Sequence, residues 1–357
     1  MTEGGLDGPL RASPQQAIAP AETAARRPST IRVLEIVLLA AALVLPLFLD
    51  HFWVVLATRT LILCLVALSF DLLWGYTGIM SFGQALFYGA AAYSAALLAR
   101  DLGITSIFVI APLCTLIGLV LALAMAWFLL LGRYPPSTIF VGLGTLTGAY
   151  AADRLARGWY YLGGQNGIPS IPPLTAGGYQ IVEGFGYYYL SLGILIALYG
   201  VCRWLVRSQF GLVLAGIRQQ EERLTFLGYR VQHFKAMIFT FAGGMCGLAG
   251  ALAAFHDGFV WPNMLGVLLS TQIVLYVLFG GVGTLVGAIV GVASIDYVSF
   301  VLADRFPAFW PILLGLLLLF VVLVRPTGLC GLIVSERERV GRFGRAPMAA
   351  RAPGREA

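Results

Sequence analysis

Residues 102–132 read LGITSIFVIAPLCTLIGLVLALAMAWFLLLG, thirty-one consecutive positions without a charged side chain. A bilayer core needs only about 20 apolar residues in helical conformation. Similar charge-free runs are Leu72–Ala99, Tyr134–Ala152, Gly184–Cys202, Ala236–His256, Gly258–Ile295 and Phe306–Val324. Across the 357 residues, 59% are apolar or aromatic and 11% are charged. Soluble domains carry about 25% charged residues. Most charges here collect in three places, with 7 in residues 1–32, 8 in 203–235 and 10 in 325–357. The rest of the chain is too poor in charge to present a soluble surface. This excludes a soluble enzyme, a disordered protein and a secreted disulfide scaffold, and leaves an all-α polytopic membrane protein.

Gly258–Ile295 is too long for one span, and Gly280-Gly281-Val282-Gly283 divides it. Two further spans precede Leu72. The expected transmembrane helices are therefore about 33–49, 52–73, 79–99, 104–131, 137–155, 187–206, 236–256, 265–279, 284–303 and 309–325, ten in all. Spanning strands need about ten alternating residues and do not account for such long runs. Lys and Arg set the orientation, because they favour the cytoplasmic side. With both termini cytoplasmic, 18 basic residues lie inside: Arg11 to Arg32, Arg133, six from Arg203 to Lys235, and seven from Arg325 to Arg355. Four lie outside, namely Arg100, Arg154, Arg157 and Arg305, and Arg59 is left within a span. Loop 155–186 then faces the periplasm and loop 207–235 the cytoplasm.

Residues 1–32 are expected to form a disordered cytoplasmic tail, and residues 334–357 a basic cytoplasmic tail. No cleavable signal precedes the first span, which is read as an uncleaved anchor. The basic end either touches anionic headgroups of membrane lipid or is simply solvated. The net charge of +6 is a topology signal, not a sign of nucleic-acid binding, because the arginines gather in loops and tails. Cys64, Cys114, Cys202, Cys246 and Cys330 are scattered without CxxC spacing and read as small buried hydrophobes.

The chain contains no HExxH, no GxSxG and no paired-carboxylate motif, and His51, His233 and His256 fall at membrane edges. This argues against catalysis and against a metal site. A phosphate-binding P-loop needs GxxxxGK[ST]. The one lysine, Lys235, follows Phe234, so ATP cannot be held by that route. ATP-driven transport would require a separate ATPase subunit.

Glycine is abundant, with 43 residues. Gly243-x₃-Gly247 and Gly287-x₃-Gly291 read as seams for close helix packing. Gly75-Tyr76-Thr77-Gly78 and Gly280-Gly281-Val282-Gly283 each interrupt a long apolar run, as in the broken helices of transporter pathways. Six spans separate the two breaks, so any repeat they mark is parallel. Arg59, Asp71 and Asp296 are ionisable groups inside or at the edge of spans, with an Arg59–aspartate pair as one reading and a substrate contact as the other.

The long charged loop between spans runs from Arg207 to Gly228 as RSQFGLVLAGIRQQEERLTFLG and reads as a short, imperfectly amphipathic helix stopping at Gly228. It resembles the coupling loop of inner-membrane permeases of branched-chain amino acid ABC importers. In that family the pattern is roughly S-x-F/L-G-x-x-L-x-A-I-R-x-x-E-x-x-A-x-x-L-G, followed by a basic residue that opens the next helix. Gly211, Ile217, Arg218, Glu221, Leu227 and Gly228 match it, as does the downstream run Ala249–Leu252. Gly75–Ala85, GYTGIMSFGQA, is similar to the family's G-x-x-G-x-x-S-x-G-x-A segment. Gly164–Pro169 resembles its external loop, and Gly280–Leu285 and Arg325–Leu329 complete an ordered set over about residues 33–333. Leu224 and Phe226 depart from it, standing where alanines are frequent, and Tyr134–Ser137 is also altered. Leu224–Tyr229 looks closer to the urea and short-amide branch of the family.

The resemblance implies a multi-pass protein of the bacterial inner membrane that works with four kinds of partner: a second homologous permease, two cytoplasmic ATP-binding subunits, a periplasmic substrate-binding protein and lipid. This chain would bind no cofactor itself, and its partners would use ATP. Gly211, Ile217, Arg218, Glu221, Arg223, Leu227 and Gly228 would couple it to the ATPase. Gly75, Gly78, Ser81, Gln84, Gly280 and Gly281 are the translocation-pathway candidates, although Ser81 and Gln84 could instead merely satisfy backbone groups of a broken helix. The expected cargo is a branched-chain or related amino acid, with urea or short amides as the alternative. The competing classes are an ion-coupled carrier or channel, which needs central carboxylates, and a non-transport membrane scaffold.

Overall fold

The structure is a computed structural model that describes residues 30–132 and 137–306, with scattered positions from 309 to 330. Its described helices are α1 (Thr30–Val44), α2 (His51–Thr77), α3 (Gln84–Leu102), α4 (Ile107–Leu129), α5 (Thr138–Gly158), α6 (Phe185–Arg207), α7 (Gln209–Phe226), α8 (Val231–Asp257), α9 (Val267–Gly280) and α10 (Val286–Arg305). Six segments are long and apolar enough to cross a membrane: α1 with the 3₁₀ turn after it, α2, α4, α6, α8 and α10. α9 is a shorter apolar helix. α3 and α5 carry charge near their ends, at Arg100 and Asp101 and at Asp153, Arg154 and Arg157. The result is an all-α polytopic membrane protein. Residues 30–32, expected as the end of the N-terminal tail, already belong to α1, while the rest of that tail, the C-terminal tail and most of the tenth expected span, 309–325, lie outside the described residues.

α8 and α2 form the centre, with 83% and 56% of their spanning stretches buried, against 11% in the segment that begins with α1. Glycine makes this centre possible. A Cβ on Gly118 of α4 would stand 3.0 Å from the Gly247 Cα of α8, so the two backbones are in contact. That is the packing role read from Gly243-x₃-Gly247. Likewise a Cβ on Gly291 of α10 would lie 2.9 Å from the Gly280 Cα of α9. Phe70, Phe87, Phe239, Tyr187 and Tyr276 fill the interior between these seams, and all five cysteines are buried.

The third span begins later than expected, at Gln84 rather than 79. Gly78 closes α2 in the left-handed region, at φ 78°, and the chain then runs non-helically to Gly83. The 155–186 loop is more ordered than the sequence suggests. Leu174–Ala176 pairs antiparallel with Tyr179–Ile181 as strands β1 and β2. Gly177 (φ 58°) and Gly178 (φ 93°) make the two-residue turn, where both positions require positive φ.

The loops sort cleanly between two ends of the bundle. At one end, Thr175 N–H donates to Thr105 O at 2.9 Å and Ile168 pairs with Val260. Arg157 there bridges Asp153 (3.0 Å) and the Asn263 side chain (2.5 Å). Arg100 and the Tyr161 hydroxyl both hold the Asp101 carboxylate, keeping its pKa below the ordinary range. At the other end lie α7 and the two glycine breaks.

Candidate coupling and pathway site

The two glycine breaks are far apart in sequence and touch in space. A Cβ on Gly75 would lie 2.7 Å from the Gly283 Cα, so neither position has room for a side chain. Asp71 stands one helical turn before Gly75, is fully buried, and closes the junction. Its Oδ1 accepts the Gly283 N–H at 2.6 Å and its Oδ2 accepts the Leu285 N–H at 2.8 Å. The turn between α9 and α10 leaves these backbone donors without helical partners, and a buried donor needs one. The Leu329 N–H reaches Phe279 O at 2.8 Å, so the segment after the last span also rests on this break.

The coupling candidates reach the same point. Arg218 Nη1 of α7 donates to the Gly75 carbonyl oxygen. Gly211 and Ile217 are buried, and a Cβ on Gly211 would meet Val206 backbone. Gln220 has extended backbone (φ −156°, ψ 92°), so α7 bends there into two pieces, where one helix was expected. Beyond the bend, Glu221 Oε2 accepts from Lys235 Nζ at 2.6 Å, and Lys235 is itself buried. This pair ties α7 to the N-terminal part of α8. Gly228 then turns the chain at φ 86°. Arg223 and Leu227 are exposed, as is Phe226 beside them. A groove of about 900 Å³ runs along Gln220–Arg223, Thr225 and Phe226.

Of the pathway candidates, Ser81 serves the backbone, its Oγ accepting the Gly83 N–H at 3.1 Å. Thr145 of α5 accepts the Phe82 N–H at 3.0 Å, and Ser270 of α9 donates to Phe82 O at 2.6 Å. These supports account for a stable non-helical segment inside an apolar bundle. Gln84 is different. It is 1% exposed, and neither its amide nitrogen nor its amide oxygen has a hydrogen-bond partner.

Sequence reasoning paired Arg59 with Asp71 or Asp296. Among the described residues neither pair forms. Asp71 holds the glycine junction, and Asp296 Oδ2 accepts the Thr60 hydroxyl at 2.5 Å. The placement of Asp71 four residues before a glycine break was the available signal for its role. Its contact 212 residues away was not readable.

Residues 53–322 match the family model for the permease component of the branched-chain amino acid transport system. The chain belongs to that family. It is 27% identical over 319 residues to the high-affinity branched-chain amino acid transport permease LivM of Salmonella typhimurium, covering 82% of this chain and 73% of the relative. It is 29% identical over 247 residues to the autoinducer 2 import permease LsrC of Salmonella paratyphi B, covering 65% and 68%. With BraD of Pseudomonas aeruginosa, a branched-chain amino acid transport permease, identity is 21% over 75% of this chain and 91% of the relative. No solved structure matches. As a member of this permease family the chain is a multi-pass inner-membrane transport subunit and not an enzyme. Among the described residues no cluster of His, Cys, Asp or Glu is suited to hold a metal ion.

Proposed function

We propose that this permease moves branched-chain or related amino acids into the cytoplasm as part of an ATP-driven importer, with α7 as the element that receives force from an ATPase. The Arg218 bond to Gly75 carries this reading, because it joins the charged helix directly to the junction of the broken helices. The concentration of Arg and Lys at that end of the sequence map supports a cytoplasmic position for α7 and for both termini. Exposed Phe226, Leu227 and Arg223, with the groove beside them that Glu221 and Glu222 also line, offer an apolar surface of mixed charge for the ATP-binding subunit. A second permease, a second ATP-binding subunit and a periplasmic binding protein complete the assembly. The named relatives include permeases for branched-chain amino acids and for autoinducer 2, so membership alone does not fix the solute. The Leu224–Tyr229 segment favours urea or a short amide as the second reading.

The test is uptake of radiolabelled leucine into vesicles carrying the whole importer. Uptake requires ATP and survives an uncoupler. Glu221→Ala, which removes the partner of Lys235, abolishes it while the protein still inserts, and so does Gly228→Pro, since proline cannot adopt φ 86°. Normal uptake by either variant, or transport by the purified chain with no nucleotide-hydrolysing subunit, overturns the coupling role.

A further inference from the structure

The end of the bundle opposite α7 contains a cavity of about 200 Å³, formed by α2, α3, α8, α9 and the 258–266 segment. That is below the roughly 300–1,000 Å³ of sites for drug-sized ligands. It suits a solute the size of one amino acid. Its walls are mostly apolar, with Ile62, Met264, Leu268 and Leu269 among them. Two charges of opposite sign, Arg59 and Asp257, line the same small space. They do not neutralise each other through an ion pair among the described residues. Arg59 lies in the third turn of an apolar spanning helix and is exposed there. Such a group in a span normally faces water, a partner or a transported solute. Among the described residues, His256 Nδ1 is the hydrogen-bonding neighbour of Asp257, 3.1 Å from its Oδ1.

An ion of one sign would engage only one of the two charges that line this half-open cavity. A molecule that carries both a carboxylate and an ammonium satisfies both residues at once, and the apolar wall takes its side chain. We infer that this cavity is a recognition site for a zwitterionic amino acid with an apolar side chain, in which Arg59 receives the carboxylate and Asp257 the ammonium. This deepens the amino-acid reading given above and rests on it. A second observation lies one turn along α3. Tyr88 lines the cavity, and Gln84, four residues before it, holds the buried amide without partners. Residues four apart share a helix face. The face that leaves the cavity at Tyr88 therefore meets an unsatisfied polar group on the way to the glycine junction.

Binding to the purified full-length chain in detergent, followed by saturation-transfer NMR, tests this without transport. The probes are leucine, leucinamide (no carboxylate) and 4-methylpentanoate (no ammonium). The wild type binds leucine saturably and binds both analogues more weakly. Arg59→Gln weakens leucine binding about tenfold or more, the scale of one charge-assisted hydrogen bond, and leaves leucinamide unchanged. Asp257→Asn does the same with 4-methylpentanoate as the unaffected probe. Arg59→Lys, which keeps the charge, retains most of the affinity. No saturable leucine binding by the wild type, or an equal loss for all three probes in a variant that elutes as a folded species, overturns the site. The vesicle experiment separates the two readings. ATP-driven leucine uptake without binding at this cavity removes only the site, and binding without ATP-driven uptake removes only the coupling.

Discussion

Asp71 shows what a single side chain can hold together in this protein. Its two carboxylate oxygens satisfy two buried N–H groups from a turn more than two hundred residues away. Asp71→Ala leaves both donors unpaired, at about 1–3 kcal/mol each. We expect a clear fall in the thermal unfolding midpoint of the detergent-solubilised protein, with Asp71→Asn between the two because its carbonyl still accepts one bond. Equal midpoints for wild type and Asp71→Ala would remove the carboxylate from the account of the junction. The sequence marked Asp71 as costly but suggested the wrong partner. Charge and hydropathy report that a buried ion must be compensated. They do not report whether another ion or a pair of backbone donors does it. Arg218, Glu221 and Gly228 were legible because a loop pattern fixes their spacing, whereas the Lys235 partner of Glu221 lies 14 positions on and needed the fold.

The packing of α4 on α8 is decided by glycine. Gly118→Leu drives a side chain into the Gly243–Gly247 surface, and overpacking of this kind costs about 1–3 kcal/mol. Gly193→Ala on α6 is the matched control, since a Cβ there meets nothing within 4 Å. Loss of monodisperse protein after Gly118→Leu but not after Gly193→Ala would be the expected result in gel filtration. The spanning helices were readable from run length, because the bilayer imposes it. Three features were not: the hairpin at Leu174–Ile181, the bend at Gln220 and the extension of the Gly75–Gly78 break as non-helical chain to Gly83. Each depends on local turn geometry or on a distant hydroxyl, such as that of Thr145, and leaves little mark on hydropathy.

At the scale of the whole molecule, the ends of the bundle differ in chemistry. The hairpin, the 258–266 segment and the Arg59–Asp257 cavity occupy one end, and α7 with the glycine junction the other. Orientation follows from cysteine labelling, because the native cysteines are buried. In spheroplasts, an impermeant maleimide should modify Tyr179→Cys directly and Phe226→Cys only after lysis. Both parent residues are more than four-fifths exposed. The reverse pattern would invert the topology. The chain owns one lysine, and that ammonium is buried against Glu221. Amine-directed reagents consequently find no accessible lysine on this subunit while the clasp is shut, and acylation of that one ε-nitrogen, told apart from the α-amine by peptide mapping, becomes a built-in reporter of its opening.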